Sequence, residues 1–315
     1  VFWNRHVVHH SSEEFNLACG LRQSISKNLI GFGALFLIPA ALFGVPQKII
    51  IILAPLHLFG QFWYHTRHIG KLGWLEYFLV TPSQHRVHHA INPEYVDKNL
   101  SAIFCIWDRM FGTFQEELDE KPCVFGTLKP VQTWNPIIIN FQHNWGLAKD
   151  AWHAKNWLDK FKLWFMPTGW RPKDVAERFP ISIVENVYIQ EKYAPKYTTL
   201  HKFYAIFQFV CINIFIYVLL TNFGALSLNA QLSLGLLIST TIFGFTSSLD
   251  GHKWAFLFEI SRGILGLLFL VYPSEFFLLK INFPFTIFLS IYFSTSLLTT
   301  CWMYQSPPER SLKVA

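Results

Sequence analysis

Residues 6–10 read HVVHH and residues 85–89 read HRVHH, the same His-x-x-His-His pattern twice. On a helix, His6, His9 and His10 are related by i, i+3 and i+4 and share one face; His85, His88 and His89 repeat that geometry. One helical turn then presents two or three imidazoles to a single point. Two such turns facing each other can hold two metal ions, and imidazole suits iron, zinc and copper. His65, in QFWYHT, ends an apolar stretch at the same expected membrane face as both clusters and is a seventh candidate ligand. His68, one turn further on, ranks below it. A single cluster reads equally well as a solvated patch; two copies beside apolar segments point to a metal centre. There is no His-Glu-x-x-His, which argues against a metalloprotease helix. There is also no Glu-x-x-His pairing of bridging carboxylates, which argues against a ferritin-like di-iron bundle.

Metal-bound imidazoles usually donate their remaining N–H to a carboxylate or carbonyl, which fixes the tautomer. Glu13 and Glu14 follow the first cluster, and Asp97, Asn99 and Asp108 follow the second. These are the candidates for that role. The equal alternative is helix capping or ordinary salt bridges with Arg22, Arg86, Lys98 and Arg109. His57, His143, His153, His201 and His252 stand alone and read as structural or interfacial residues.

The elements that must position these groups are apolar. The 315 residues are 52% hydrophobic and 15% charged, against about 25% charged in soluble domains, which indicates a membrane protein. With so much apolar sequence, the net charge of +6 reads as lipid-facing basic loops and not as a nucleic-acid surface. The five cysteines form no Cys-x-x-Cys motif, so reduced thiols are expected.

Residues 29–63 are almost uncharged and predict a membrane hairpin, with Pro39, Gly44 and Pro46 marking its turn or kinks. Residues 64–202 are polar. Within them, 134–157 space Trp, Phe and Leu as an amphipathic helix on the membrane surface would, a lid over a lipid entrance being the lesser reading. Four further spans are expected at about 203–223, 232–249, 254–272 and 283–304, followed by a tail at 305–315. With 64–202 cytosolic, the connections alternate as the positive-inside rule asks: none of Lys or Arg in the first, Lys253 in the second, Glu275 offsetting Lys280 in the third, and Arg310 and Lys313 in the tail.

Three stretches carry a resemblance: HVVHHSSEEFNLACGLRQS, QFWYHT and TPSQHRVHHAINPEYVDKNLSAIFCIWDRMFGTF. They resemble the fatty acid hydroxylase and sterol desaturase superfamily of membrane di-metal oxygenases, and within it the branch that cleaves ether lipids. The resemblance implies an all-α, multi-span protein of the endoplasmic reticulum membrane with a histidine-rich di-metal site facing the cytosol. It implies a hydroxylase domain over 1–125, a cytosolic amphipathic segment and linker over 126–202, and a four-span region over 203–304. It implies iron, dioxygen and tetrahydrobiopterin, and hydroxylation of the carbon next to the ether oxygen of an alkylglycerol, giving a fatty aldehyde and a glycerol derivative. His6, His9, His10, His65, His85, His88 and His89 match ligand positions of the family.

One departure stands out. The family has an earlier His-x-x-x-His on a preceding span; nothing precedes Val1 here, and no such pair stands apart from the two clusters. The chain is therefore expected to be N-terminally truncated, to bind metal poorly as it stands and not to turn over. Two other readings remain: a sterol or fatty acyl enzyme of the same superfamily drawing electrons from cytochrome b5, and a non-catalytic membrane protein without the first cluster. Sequence names no pterin-binding residue and gives no oligomeric state.

Overall fold

The computed structural model describes residues 2–25, 37–271, 283–305 and 308. Residues 29–36 of the expected hairpin, the third connection of the C-terminal region and nearly all of the tail lie outside the described residues. The fold is helical throughout: among the described residues there is no strand, and isolated bridges include Leu79–Phe104 and Ala90–Phe125. The chain folds as two compact units, Val1–Val131 with Ile139–Lys192, and Gln132–Ile138 with Tyr193–Lys313.

The first unit is built from short helices: α1 (Val7–His10), α2 (Leu17–Leu21), α3 (Ile38–Leu42), α4 (Gln47–Phe62), α5 (Pro82–His89), α6 (Ile106–Phe111), α7 (Pro136–His153), α8 (Trp157–Lys162) and α9 (Lys173–Arg178). Sequence explains their limits. Gly44, at φ +69°, and Pro46, as N-cap, break the chain between α3 and α4. The helix α4 is apolar all round and buries no side chain, and Pro55 lies inside it. At about 1.5 Å per residue its 16 residues fall short of the roughly 20 that cross a bilayer unaided. Its last turn delivers Tyr64 and His65, both buried.

The helix α5 starts at Pro82, where a missing N–H costs nothing. The buried carboxylate of Glu76 lies at that end: it accepts from Leu72 N at 2.9 Å, Thr81 Oγ1 at 2.8 Å and Ser83 Oγ at 2.7 Å. A carboxylate beside a helix N-terminus also meets the positive end of the helix dipole. The small cores follow sequence patches, such as Val7 and Val8 against Ile139, with Trp3 and Val131 alongside.

The second unit has four long helices, α10 (Thr199–Thr221), α11 (Leu228–Leu249), α12 (Lys253–Val271) and α13 (Phe283–Met303). Among the described residues three helices are long and apolar enough to cross a membrane: Thr199–Thr221, Leu228–Leu249 and Phe285–Met303. The helix α12 occupies the third of the four expected positions but carries buried Glu259 and Arg262. Cys211, Phe215, Leu289, Tyr292 and Phe293 form the apolar core. Glycines let α12 and α13 close in: a Cβ at Gly263 would lie 2.5 Å from Leu297, and one at Gly266 2.3 Å from Phe293.

Candidate metal centre

The first unit brings the seven candidate ligands together. His9, His65, His85 and His89, all buried, each offer one nitrogen within 4.8 Å of the others. Their Nε2 atoms form a chain of contacts: His9 to His65 at 3.1 Å, His65 to His85 at 2.9 Å and His85 to His89 at 3.0 Å. His6, His10 and His88 form a second group by the same measure. His10 is buried, His88 half-buried and His6 exposed. The groups adjoin, since the rings of His10 and His89 stack at 4.2 Å.

Local structure explains the convergence. The turn α1 packs its valines into a core and turns His9 and His10 the other way. The i, i+4 pair His85 and His89 points from one side of α5. His65 follows α4, and α2 comes close enough that a Cβ on Gly20 would meet His65 Nδ1 at 3.2 Å. Arg86, between two ligand positions, points away from them. It binds Glu117 in a fork, Nε to Oε1 at 2.8 Å and Nη2 to Oε2 at 2.6 Å, and its Nη1 donates to the carbonyls of Thr66 and Ile69 at 2.9 and 2.8 Å. One guanidinium thus ties the ligand helix to the loop that follows His65. Arg22 does the corresponding work at α1, donating to Val8 O at 3.3 Å and Ser11 Oγ at 2.7 Å.

The protons identify what the centre is suited to hold. His9 Nδ1 lies 2.9 Å from the carbonyl oxygen of Cys19, and His65 Nδ1 lies 2.8 Å from that of Gln61. A carbonyl only accepts, so both Nδ1 atoms carry hydrogen and both Nε2 atoms are bare lone pairs when the rings are neutral. Those lone pairs face each other at 3.1 Å with no proton to share. Protonation offers no way out. Burial, with the neighbouring imidazoles His6 and His65 adding to it, pushes His9 down to about 3. Burial also lowers His65, and holds His85 and His89 well below the ordinary imidazole range.

In the second group His10 Nε2 and His88 Nδ1 are buried with no hydrogen-bond partner. Burial keeps His10 well below its ordinary value and His88 at about 4. Buried polar atoms without a partner call for an explanation. A cation meets every one of these demands at once, and an all-imidazole donor set fits iron, zinc or copper. The surroundings are apolar. The ring of Phe15 lies 5.6 Å from His65 and 5.3 Å from His89 and stacks on Phe125 at 4.8 Å, and Tyr64 lies 4.2 Å from His85.

The five acidic and amide candidates are placed as follows. Asp108 accepts from Leu100 N at 2.7 Å, Ser101 N at 3.0 Å and Thr113 Oγ1 at 2.6 Å. Asn99 bonds Gln84 O at 3.1 Å and both the N–H and the carbonyl of Gln115. Both residues hold the loop between α5 and α6, where Asp97 and Asn99 adopt positive φ. Asp97 is exposed, Glu13 lies against Gly126, and Glu14 forms exposed ion pairs with Lys192 and Arg67. For His9 and His65, backbone carbonyls take the N–H that these side chains were candidates for.

His68 is exposed and outside both groups, while His65 is inside. Sequence reasoning did not single out Glu76, Glu117, Phe15 or Tyr64. Glu76 carried a signal, an acid shortly before a proline-initiated helix; Glu117 carried none, since its partner is far away in sequence. The five cysteines are all free, and none joins either histidine group.

The chain was compared with known proteins. Residues 1–113 match the family model of the fatty acid hydroxylases. Alkylglycerol monooxygenase of Homo sapiens is 34% identical over 271 residues, covering 85% of this chain and 59% of the human protein. The Xenopus tropicalis alkylglycerol monooxygenase is 36% identical over 196 residues, covering 62% of this chain and 43% of its own length. That of Danio rerio is 38% identical over 172 residues, covering 55% and 37%. The chain thus spans less than two thirds of the length of these relatives. It is homologous to them, with a fatty acid hydroxylase domain at its N-terminal end. No solved structure matches it.

Proposed function

We propose that this chain, a homologue of alkylglycerol monooxygenases with a fatty acid hydroxylase domain, is the metal-holding part of a membrane monooxygenase that cleaves ether lipids. The observation that carries the reading is the pair of imidazole groups whose lone pairs converge without protons to share. His9, His65, His85 and His89 would hold one ion, and His6, His10 and His88 a second. Iron bound there would supply the dioxygen chemistry that an unactivated C–H bond demands and side-chain acids and bases lack.

The chain's own residues do the rest. The carbonyls of Cys19 and Gln61 aim two ligands. Phe15, Phe125 and Tyr64 keep water from the ligand nitrogens, which strengthens each electrostatic contact there. The exposed apolar wall of α4, ending beside His65, offers an alkyl chain a path to the centre. In the reaction, the substrate carbon next to the ether oxygen gains one atom of dioxygen as a hydroxyl. Tetrahydrobiopterin, when bound, would supply the two electrons that take the second oxygen atom to water. The hemiacetal so formed falls apart to a fatty aldehyde and a glycerol derivative.

Loop charges support a cytosolic side for the centre, as the positive-inside rule asks, and the endoplasmic reticulum is the membrane that the resemblance implies. Poor metal binding by the chain alone, expected from the missing cluster, is tested by metal analysis of this chain beside the full gene product.

The test is metal analysis and turnover of the full gene product, supplied with ferrous iron, a 1-O-alkylglycerol and tetrahydrobiopterin as sole reductant. Release of fatty aldehyde supports the proposal. Bound iron with turnover only of a sterol or acyl chain, and only with cytochrome b5, replaces the substrate class. A protein that takes up no metal overturns the reading.

A further inference from the structure

The helix α7 buries Ile139 and Asn140 and exposes Phe141, Trp145, Lys149 and Trp152. The spacing of those four places them on one stripe of the helix. The chain continues into α8, where Trp157, Leu158 and Phe161 are exposed, and then to Phe165. The exposure is extreme for such residues: Trp152 is 81% exposed, Phe165 77% and Leu158 75%. An apolar surface of this size needs a cover.

Its charges say what kind. The lysines of 141–165 are Lys149, Lys155, Lys160 and Lys162, against Asp150 and Asp159. Asp150 is already bound by Arg171 in a fork at 2.7 and 2.8 Å. Lys160 Nζ lies 5.2 Å from the ring centroid of Trp157. Lysine is depleted at protein–protein interfaces. Tryptophan beside lysine is instead the composition of a membrane interface, where the ring sits at headgroup level and the lysine stem lies along it with its charge outward. The bilayer is at hand, because the same chain has three helices able to cross one.

We infer that the surface formed by α7, α8 and Phe165 lies on the headgroup layer of the membrane and prefers anionic lipid. Trp152, Trp157, Phe161 and Phe165 enter the interface, and Lys149, Lys155, Lys160 and Lys162 meet lipid phosphates and carboxylates. This inference stands apart from the reaction proposed above, and its test involves no metal or turnover.

The experiment places a nitroxide at Trp152→Cys or Phe161→Cys in a Cys301→Ser background, because Cys301 is the exposed native thiol. Asp119→Cys, at a side chain 92% exposed, is the aqueous reference. The full chain is set in nanodiscs of phosphatidylcholine, alone or mixed with phosphatidylserine. Collisions with oxygen relative to a water-soluble nickel chelate should be several-fold higher at Trp152→Cys and Phe161→Cys than at Asp119→Cys. The ratio should rise further with phosphatidylserine, and added salt should remove that rise. The variant with all four lysines changed to Gln should keep the first effect and lose the second. Water-like accessibility in both lipids overturns the inference, as does dipolar broadening between labels, which would give the surface to a second copy. Lipid-like accessibility that ignores phosphatidylserine overturns the anionic preference.

Discussion

Two of the buried polar clusters follow opposite rules. In the four-helix unit, Arg262 binds Glu259 through Nε at 3.0 Å and Nη2 at 2.7 Å. Its Nη1 donates to Tyr292 Oη at 2.6 Å and Thr241 Oγ1 at 3.2 Å. Tyr204 donates to Glu259, Tyr292 to Gln208 at 3.0 Å, and Gln208 to Ser296 at 2.8 Å. Each charge is answered and each donor has its acceptor. In the histidine centre, lone pair faces lone pair and two further nitrogens have no partner. A closed network holds helices in register, whereas an open one is built around something else. Of these two clusters, the one whose hydrogen bonding fails to close is the candidate site.

The comparison can be broken at the centre. His65→Ala should release the ion of its group, by more than the roughly 10–100-fold that loss of an outer hydrogen-bond partner costs, while exposed His6→Ala should leave that ion bound; equal loss in both would erase the distinction between the groups. Metal titration of the two variants decides it. In the four-helix unit, Glu259→Gln should destabilise by about 3–5 kcal/mol, because it strands a buried guanidinium. The double variant Glu259→Gln/Arg262→Met should recover much of that loss in detergent unfolding. A double variant no better than the single would show that the network is more than a matched pair.

A smaller effect is expected at Gly244, where a Cβ would lie 1.7 Å from Glu259 Oε1. Gly244→Ala should cost about 1–3 kcal/mol by overpacking. Acid should also act on the centre. In the metal-free protein, unfolded His9 takes a proton near 6.5 and the folded ring only at about 3. Stability is therefore complete above pH 6.5 and falls as pH drops through that window. Bound metal should flatten the curve, and unfolding midpoints across the range with and without metal would show it. The smallest change is Glu14→Gln, which removes exposed ion pairs worth about 0–1 kcal/mol and should leave metal content untouched.

What could be read in advance follows from the range of the forces. The clustering of the candidate ligands was legible because helical spacing is local: i, i+3 and i+4 put His85, His88 and His89 on one turn whatever surrounds them. The long apolar helices were legible for the same reason, and each starts or ends within a few residues of its expected limits. The partners of the imidazoles were not. Asp108 and Asn99 sit near the ligands in sequence, but the loop between α5 and α6 has backbone N–H groups of its own to satisfy, and these two side chains serve it. The partner of Arg86, Glu117, is set by tertiary packing that no short motif encodes. The α7 stripe, by contrast, was legible: periodicity showed an apolar face for a membrane surface, and Phe141, Trp145 and Trp152 of that face are exposed.

The two carbonyls that aim His9 and His65 belong to Cys19 and Gln61, and each contributes through its main chain. Replacing either side chain keeps the oxygen in the chain. A survey of this protein by point substitution would find the imidazoles at once and pass over the atoms that orient them. Exchanging the amide that bears either carbonyl for an ester, which weakens the oxygen as an acceptor, would bring them into view. Over evolutionary time the same arrangement frees positions 19 and 61 to drift while the coordinating geometry stays fixed.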